Sequence, residues 1–153
     1  MNSKNLVMLR NKKDLTQREM AKIIKVSKST YARWETQEEI IPLWHLLTFC
    51  NYFKVSMDYV LGLSEKNDYH KYDYTKKLDK EKIGNFIKVL RKKNKLTQKE
   101  LASILNTSQS TICAYENGKT LLLTAFAYNI AKEFNISIDK LCDRIKEKKV
   151  TKV

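Results

Sequence analysis

LTQREMAKIIKVSKSTYARWE, residues 15–35, and LTQKELASILNTSQSTICAYE, residues 96–116, are two copies of one pattern, aligned without a gap at an offset of 81 residues. The agreement extends backwards to Leu9 and Arg10 against Leu90 and Arg91. It extends forwards to Phe53, Ser56 and Asp58 against Phe134, Ser137 and Asp139. Self-similarity over this length divides the chain into repeated units. The expected organisation is a first domain at 1–63, a polar, tyrosine-containing linker at 64–80, a second domain at 81–145 and a basic tail at 146–153.

Each copy reads as a series of short helices. Thr16 with Glu19, and Thr97 with Glu100, have capping-box spacing, in which hydroxyl and carboxylate satisfy the free amides of a first turn reciprocally. The apolar positions that follow, Met20, Ala21, Ile23 and Ile24 against Leu101, Ala102, Ile104 and Leu105, form an inward stripe. After three residues of turn, Ser27 or Ser108 caps the next helix. Tyr31 and Trp34 share one face of it, with Ser29, Ala32, Arg33 and Thr36 opposite and Lys28 flanking them. A fourth amphipathic helix carries Leu43, Leu46, Leu47, Cys50 and Phe53, and a last short one is capped by Ser56 or Ser137. The expected fold is all-α, two tandem domains of about five short helices each, with a tight helix-turn-helix inside each.

Composition narrows the function. Thirty Lys and Arg against 17 Asp and Glu give a formal charge of +13, which favours an anionic partner, while 42% hydrophobic residues support a packed core. The start, MNSKNLVMLRNKK, has no signal-peptide core, and no run of about 18 apolar residues occurs, which places the protein in the cytoplasm and off the membrane. Cys50, Cys113 and Cys142 are widely spaced and form no C-x-x-C pair; with only His45 and His70 besides, neither a disulfide framework nor a metal site is expected. No cofactor motif or nucleophile–base arrangement is evident, so the chain reads as a non-enzyme.

The run L-T-Q-[RK]-E-[ML]-A, then V-S or T-S, then an aromatic followed by Glu, resembles the lambda-repressor-like XRE or Cro family of bacterial and phage DNA-binding domains. The likeness covers residues 4 to 62 and again roughly 81 to 143. It implies compact bundles whose third helix enters the DNA major groove. By that resemblance Lys28, Ser29 and Arg33, with Gln109, Ser110 and Ala114 aligned opposite them, are the base readers, Arg and Lys suiting guanine and Gln suiting adenine. Gln17, Gln98, Asn117, Lys119, Lys92 and Lys93 are the phosphate contacts. Arg10 with Glu35, and Arg91 with Glu116, are structural ion pairs between the first and third helices. The family often has glycine in the turn where this chain has Lys25 and Asn106. After the third helix the second copy keeps E-N-G-K, whereas the first has E-T-Q-E-E, which sets Glu38 and Glu39 near expected phosphates.

The sequence thus reads as a sequence-specific double-stranded DNA-binding transcriptional regulator, a repressor by its lack of further domains, with an operator as partner. A homodimer is open. So is a single chain covering two half-sites, since a flexible linker of about 17 residues reaches roughly 20–25 Å against groove faces about 34 Å apart. Residues 1–62 carry ten basic and six acidic side chains (+4), 63–81 five and five, and 82–153 fifteen and six (+9). The second domain and its tail RIKEKKVTKV are therefore expected to supply most of the salt-dependent hold. The competing reading is a protein-interaction module or antitoxin-like regulator, with Trp44, Tyr69, Tyr72 and Tyr74 as a protein interface; the simpler reading is a solvated connector whose three tyrosines dock onto a neighbouring surface, with Trp44 either in the core or at a dimer or domain contact.

Overall fold

In a computed structural model, which describes residues 1, 2 and 4–146, the chain is all-helical. The first bundle comprises α1 (Lys4–Lys12), α2 (Gln17–Ile24), α3 (Lys28–Glu35), α4 (Leu43–Phe53) and α5 (Met57–Val60). A single 3-10 turn, Tyr69–Lys71, lies in the connection. The second bundle comprises α6 (Lys80–Lys93), α7 (Gln98–Ile104), α8 (Gln109–Glu116), α9 (Thr124–Phe134) and α10 (Ile138–Leu141). No strand occurs among the described residues, beyond one antiparallel bridge between Tyr72 and Ile145.

The helices begin where the local chemistry dictates. The Thr16 hydroxyl accepts from the Glu19 amide at 3.1 Å while the Glu19 carboxylate accepts from the Thr16 amide at 2.7 Å, and Thr97 and Glu100 repeat both distances. Ser27 and Ser108 accept from Thr30 and Thr111 at 3.1 and 3.2 Å, and Ser56 and Ser137 cap the last helices.

The two bundles share a backbone even where their sequences diverge. Left-handed residues occur in matched pairs at the 81-residue offset: Asp14 and Lys95, Lys25 and Asn106, Gln37 and Gly118, Lys54 and Asn135, Gly62 and Asp143. Lys25 (φ 65°) and Asn106 (φ 53°) thus make the same tight turn before α3 and α8. Gln37 (φ 64°) takes the conformation that Gly118 (φ 67°) adopts more easily, so the stretch after α3 keeps the shape of its counterpart without the glycine.

Burial follows the expected stripes. Tyr31 and Trp34 are almost wholly buried, with rings edge-on at 6.0 Å, and Ile112 and Tyr115 take their places in the second bundle. Leu6, Met20, Leu43, Leu46 and Phe49 complete the first core; Ile87, Leu101, Ala127 and Ile130 complete the second. Gly84 on α6 lies against the end of α8: a Cβ there would collide with the Tyr115 carbonyl oxygen and sit 2.9 Å from that of Glu116.

The bundles are joined by more than the connecting chain. Asp58 at the start of α5 accepts the Ile138 amide of α10 at 2.9 Å, and Asp139 at the start of α10 accepts the Met57 amide of α5 at 3.0 Å. The Thr124 hydroxyl donates to the Ile41 carbonyl at 2.6 Å. Arg144, with no exposed side-chain surface, pairs with Asp139 at 2.6 Å and reaches across to Asn51 Oδ1 at 2.8 Å and the Val55 carbonyl at 3.0 Å.

Candidate nucleic-acid interface

Two matching forks set the pitch of each helix-turn-helix. The Arg10 guanidinium binds Glu35 through two bonds, 2.6 and 3.0 Å long, and donates a third to the Leu15 carbonyl at 2.8 Å. Gln17, at the start of α2, donates to the same Glu35 carboxylate at 2.8 Å. One carboxylate at the end of α3 therefore gathers α1, α2 and the loop between them. Arg91, Glu116, the Leu96 carbonyl and Gln98 repeat the arrangement, with Gln98 at 2.9 Å. Burial would raise the Glu35 carboxyl, but the hydrogen bonds from Arg10 and Gln17 outweigh it and hold the group below the ordinary glutamate range. The same opposition, resolved the same way by Arg91 and Gln98, lowers Glu116.

With its aromatic side buried and its C-terminal end clamped, each third helix turns one face outward. Lys28, Ser29 and Arg33 are exposed on α3; Gln109 and Ser110 are exposed and Ala114 is partly covered on α8. These six residues form two small polar faces, lysine and arginine on one and amide and hydroxyl on the other. Arg33 is ion-paired at 3.0 Å with Glu39, both side chains about half exposed. Glu39 therefore sits beside one of the two cations of the first face, and Glu38 stands exposed next to it in the chain.

Among the residues assigned to phosphate, Lys92, Lys93 and Lys119 are exposed, as is Asn117, whose amide also donates to the Cys113 sulfur at 3.3 Å. Gln17 and Gln98 are half-buried, each with one amide hydrogen committed to its glutamate; the second amide hydrogen and the helix amides remain as donors. Their structural role as braces was not visible in the sequence.

Two expectations, for the linker and for Arg144, need correction. Tyr72 is buried and Tyr74 partly so, their rings beside the Arg144 guanidinium at 5.9 and 5.3 Å, and the Tyr74 hydroxyl donates to the Lys54 carbonyl at 3.1 Å. Both rings pack within the chain, where they cover the charge that joins the two bundles. The linker is accordingly a packed strap and not a free tether: Asn67 accepts the Ser56 amide at 2.8 Å and Asp73 donates its amide to the Arg144 carbonyl at 2.7 Å. Arg144, counted with the tail's phosphate-seeking charge, is fully buried by its bond to Asp139 and cannot reach a phosphate. Residues 147–153 of the tail, and the side chain of Tyr69, lie outside the described residues. Trp44 is 52% exposed, its ring 5.3 Å from that of His45.

Among the described residues, no group of three or more His, Cys, Asp or Glu side chains is placed to hold a metal ion, and no helix is long and apolar enough to cross a membrane. Cys50 and Cys142 are buried free thiols, and burial pushes both up from the ordinary cysteine range.

Comparison with known proteins matches both halves independently. A helix-turn-helix family pattern covers residues 6–60, and a helix-turn-helix domain pattern covers residues 84–147. The chain is 35% identical over 75 residues, 45% of its own length, to a protein of Streptococcus pneumoniae named antitoxin PezA, of which it covers 48%. It is 35% identical over 63 residues (41% of the chain, 56% of the relative) to the uncharacterized HTH-type transcriptional regulator YobD of Bacillus subtilis. It is 37% identical over 59 residues (39% and 54%) to a competence pilus inhibition repressor of Acinetobacter baylyi. The chain thus spans about half the length of these curated relatives.

Proposed function

The chain belongs to the helix-turn-helix family twice over, as tandem XRE-like domains, and from that premise we propose that it is a sequence-specific double-stranded DNA-binding transcriptional regulator, acting as a repressor. The observation that carries this reading is the pair of outward polar faces on α3 and α8, each backed by buried rings or aliphatics and clamped by an arginine–glutamate fork. A rigid helix with a narrow hydrophilic face suits the major groove, where each base pair presents a distinct pattern of donors and acceptors. Lys28 and Arg33 fit guanine edges and Gln109 fits adenine, while Ser29, Ser110 and Ala114 are small enough to let the backbone approach. Lys92, Lys93, Lys119 and Asn117, with the free hydrogens of Gln17 and Gln98, provide the phosphate contacts that fix register. The repressor assignment draws its support from the relative named a repressor.

The two faces divide the work. The Arg33–Glu39 pair and Glu38 weaken the field around α3, whereas the second domain carries most of the excess positive charge. Domain 2 supplies the salt-dependent hold, and domain 1 supplies more of the base discrimination.

Selection of bound duplexes from a random double-stranded pool by the full chain tests the proposal. A defined motif should emerge, and it should degrade when Arg33 and Gln109 are both replaced by alanine. Enrichment no better than composition bias, with no mobility shift at low salt, would overturn it. A second reading, an antitoxin-like regulator in which one helix-turn-helix meets a protein, draws support from the antitoxin relative and from the exposure of Trp44 and Ile40. It predicts that only one of the two faces contributes to the selected motif.

A further inference from the structure

The contacts between the bundles obey a symmetry. Asp58 caps the amide of Ile138, and Asp139 caps the amides of Met57 at 3.0 Å and Asp58 at 3.3 Å. Since 138 and 139 are the counterparts of 57 and 58, the contact of 58 with 138 is repeated by the contact of their counterparts, 139 with 57. This is the signature of an isologous, two-fold interface, here realised within one polypeptide.

A second contact between the copies lies closer along the chain to the reading helices. Thr124 Oγ1 donates to the Ile41 carbonyl at 2.6 Å in a buried setting. Ile41 lies six residues past the end of α3, and Thr124 eight past the end of α8. Spans of this length reach at most about 22 and 29 Å. The ends of the two reading helices therefore lie within about 60 Å of each other, a bound that admits the roughly 34 Å between successive major-groove faces.

What holds this arrangement is buried, charged and directional. Arg144 ties Asp139 of the second copy to Asn51 and Val55 of the first, and the strap from Asn67 to Tyr74 packs over it. A hydrophobic patch could slide, but a guanidinium with three fixed acceptors could not without leaving a charge uncompensated. The face at the starts of α5 and α10 is thereby already filled by the sister domain. The two reading faces also differ: Lys28, Ser29 and Arg33 against Gln109, Ser110 and Ala114.

We infer that the chain is a covalent pseudo-dimer, in which the Asp58–Asp139–Arg144 seam fixes the spacing of two unlike reading helices, so that one chain occupies one operator made of two different half-sites. The inference rests on the DNA-binding reading above and adds to it the stoichiometry, the asymmetry and the rigidity of spacing.

The test uses the full chain and duplexes about four helical turns long, selected from a random pool. Expected are a motif with two unlike halves and a complex of one chain per duplex by native mass spectrometry. Inserting half a helical turn, about five base pairs, between the halves should lower affinity roughly a hundredfold or more, because the second half-site is then out of reach. In Arg144→Met the penalty for that insertion should shrink about tenfold or more while single-half binding persists, with helix content checked by circular dichroism. If this variant unfolds, the insertion series on the unaltered chain decides alone. Two chains per duplex, identical halves, or an insertion tolerated within about threefold would each overturn the inference while leaving the DNA-binding reading intact. Failure to enrich any motif would overturn both.

Discussion

Arg33 and the lysines act on different terms of the binding free energy, and this can be measured. Arg33→Ala removes a group suited to a guanine edge, so it should cost about 1–3 kcal/mol of discrimination at one base position and change the salt dependence little. Neutralising Lys92, Lys93 and Lys119 together should instead lower the slope of log K against log salt by about 0.9 for each phosphate left without its cation, with preference among sequences retained. Equal effects from both changes would refute the division of labour. Glu35 and Glu116 carry a pH signature. Their forks hold both carboxyls below the unfolded glutamate value of about 4.3, so their contribution is complete above that value and is lost as the pH falls through the depressed folded values. Thermal midpoints should fall steeply below about pH 4, and Glu35→Gln with Glu116→Gln should be less stable at pH 7 and lose that part of the acid slope. At this scale the sequence was informative wherever a residue recurred with its partner: Arg10 with Glu35 and Arg91 with Glu116 were legible as pairs. The bonds from Gln17 and Gln98 to those glutamates were not, because a glutamine in a first helical turn looks the same whether it braces its own fold or waits for a phosphate.

Helix starts were legible because a cap needs only a hydroxyl or carboxylate within three residues, all of it local. Thr16 with Glu19, Thr97 with Glu100, Ser27 and Ser108 all cap as their spacing predicts. Turns were harder. E-T-Q-E-E gives no sign that Gln37 adopts the left-handed conformation of Gly118, since the signal that marks such a position is the glycine itself. The divergence there is chemical and not geometric: the backbone is the same in both copies, while Glu38 and Glu39 change the field around α3. Lys25 and Gln37 both hold left-handed conformations at a cost of roughly 1 kcal/mol each. Lys25→Gly and Gln37→Gly should therefore leave stability unchanged or raise it by up to about 1 kcal/mol, where glycine in a helix interior would lower it by a similar amount. Chemical denaturation of each variant checks this, and a drop above about 1 kcal/mol for either would show that the side chain makes contacts the strain argument omits.

The seam between the two domains was the least legible feature, and the reason is distance along the chain. Arg144 meets Asn51 across 93 residues, so no local pattern announces the contact, and in a charge count it joins the lysines of the tail. Asp58 and Asp139 were visible as a recurring pair, yet recurrence cannot say that each caps the other's helix. Replacing Arg144 by methionine leaves Asp139 buried without its counter-charge and should cost about 3–5 kcal/mol, with part of that recovered by adding Asp139→Asn. Denaturation of the two variants and their combination measures that coupling. Asp58 contributes with the opposite sign to the forks: burial first, then the charge of Asp139, raises its pKa against the pull of Ser137 and Ile138, so stability from this site grows as the pH falls through its raised value. Whether the outward faces of α3 and α8 meet DNA is decided by amide chemical-shift mapping of the full chain titrated with its selected duplex. The largest shifts should fall on Lys28, Ser29, Arg33, Gln109, Ser110 and the first turns of α2 and α7. Shifts centred instead on Trp44, Ile40 and the linker, with α3 and α8 unmoved, would refute the DNA-facing assignment.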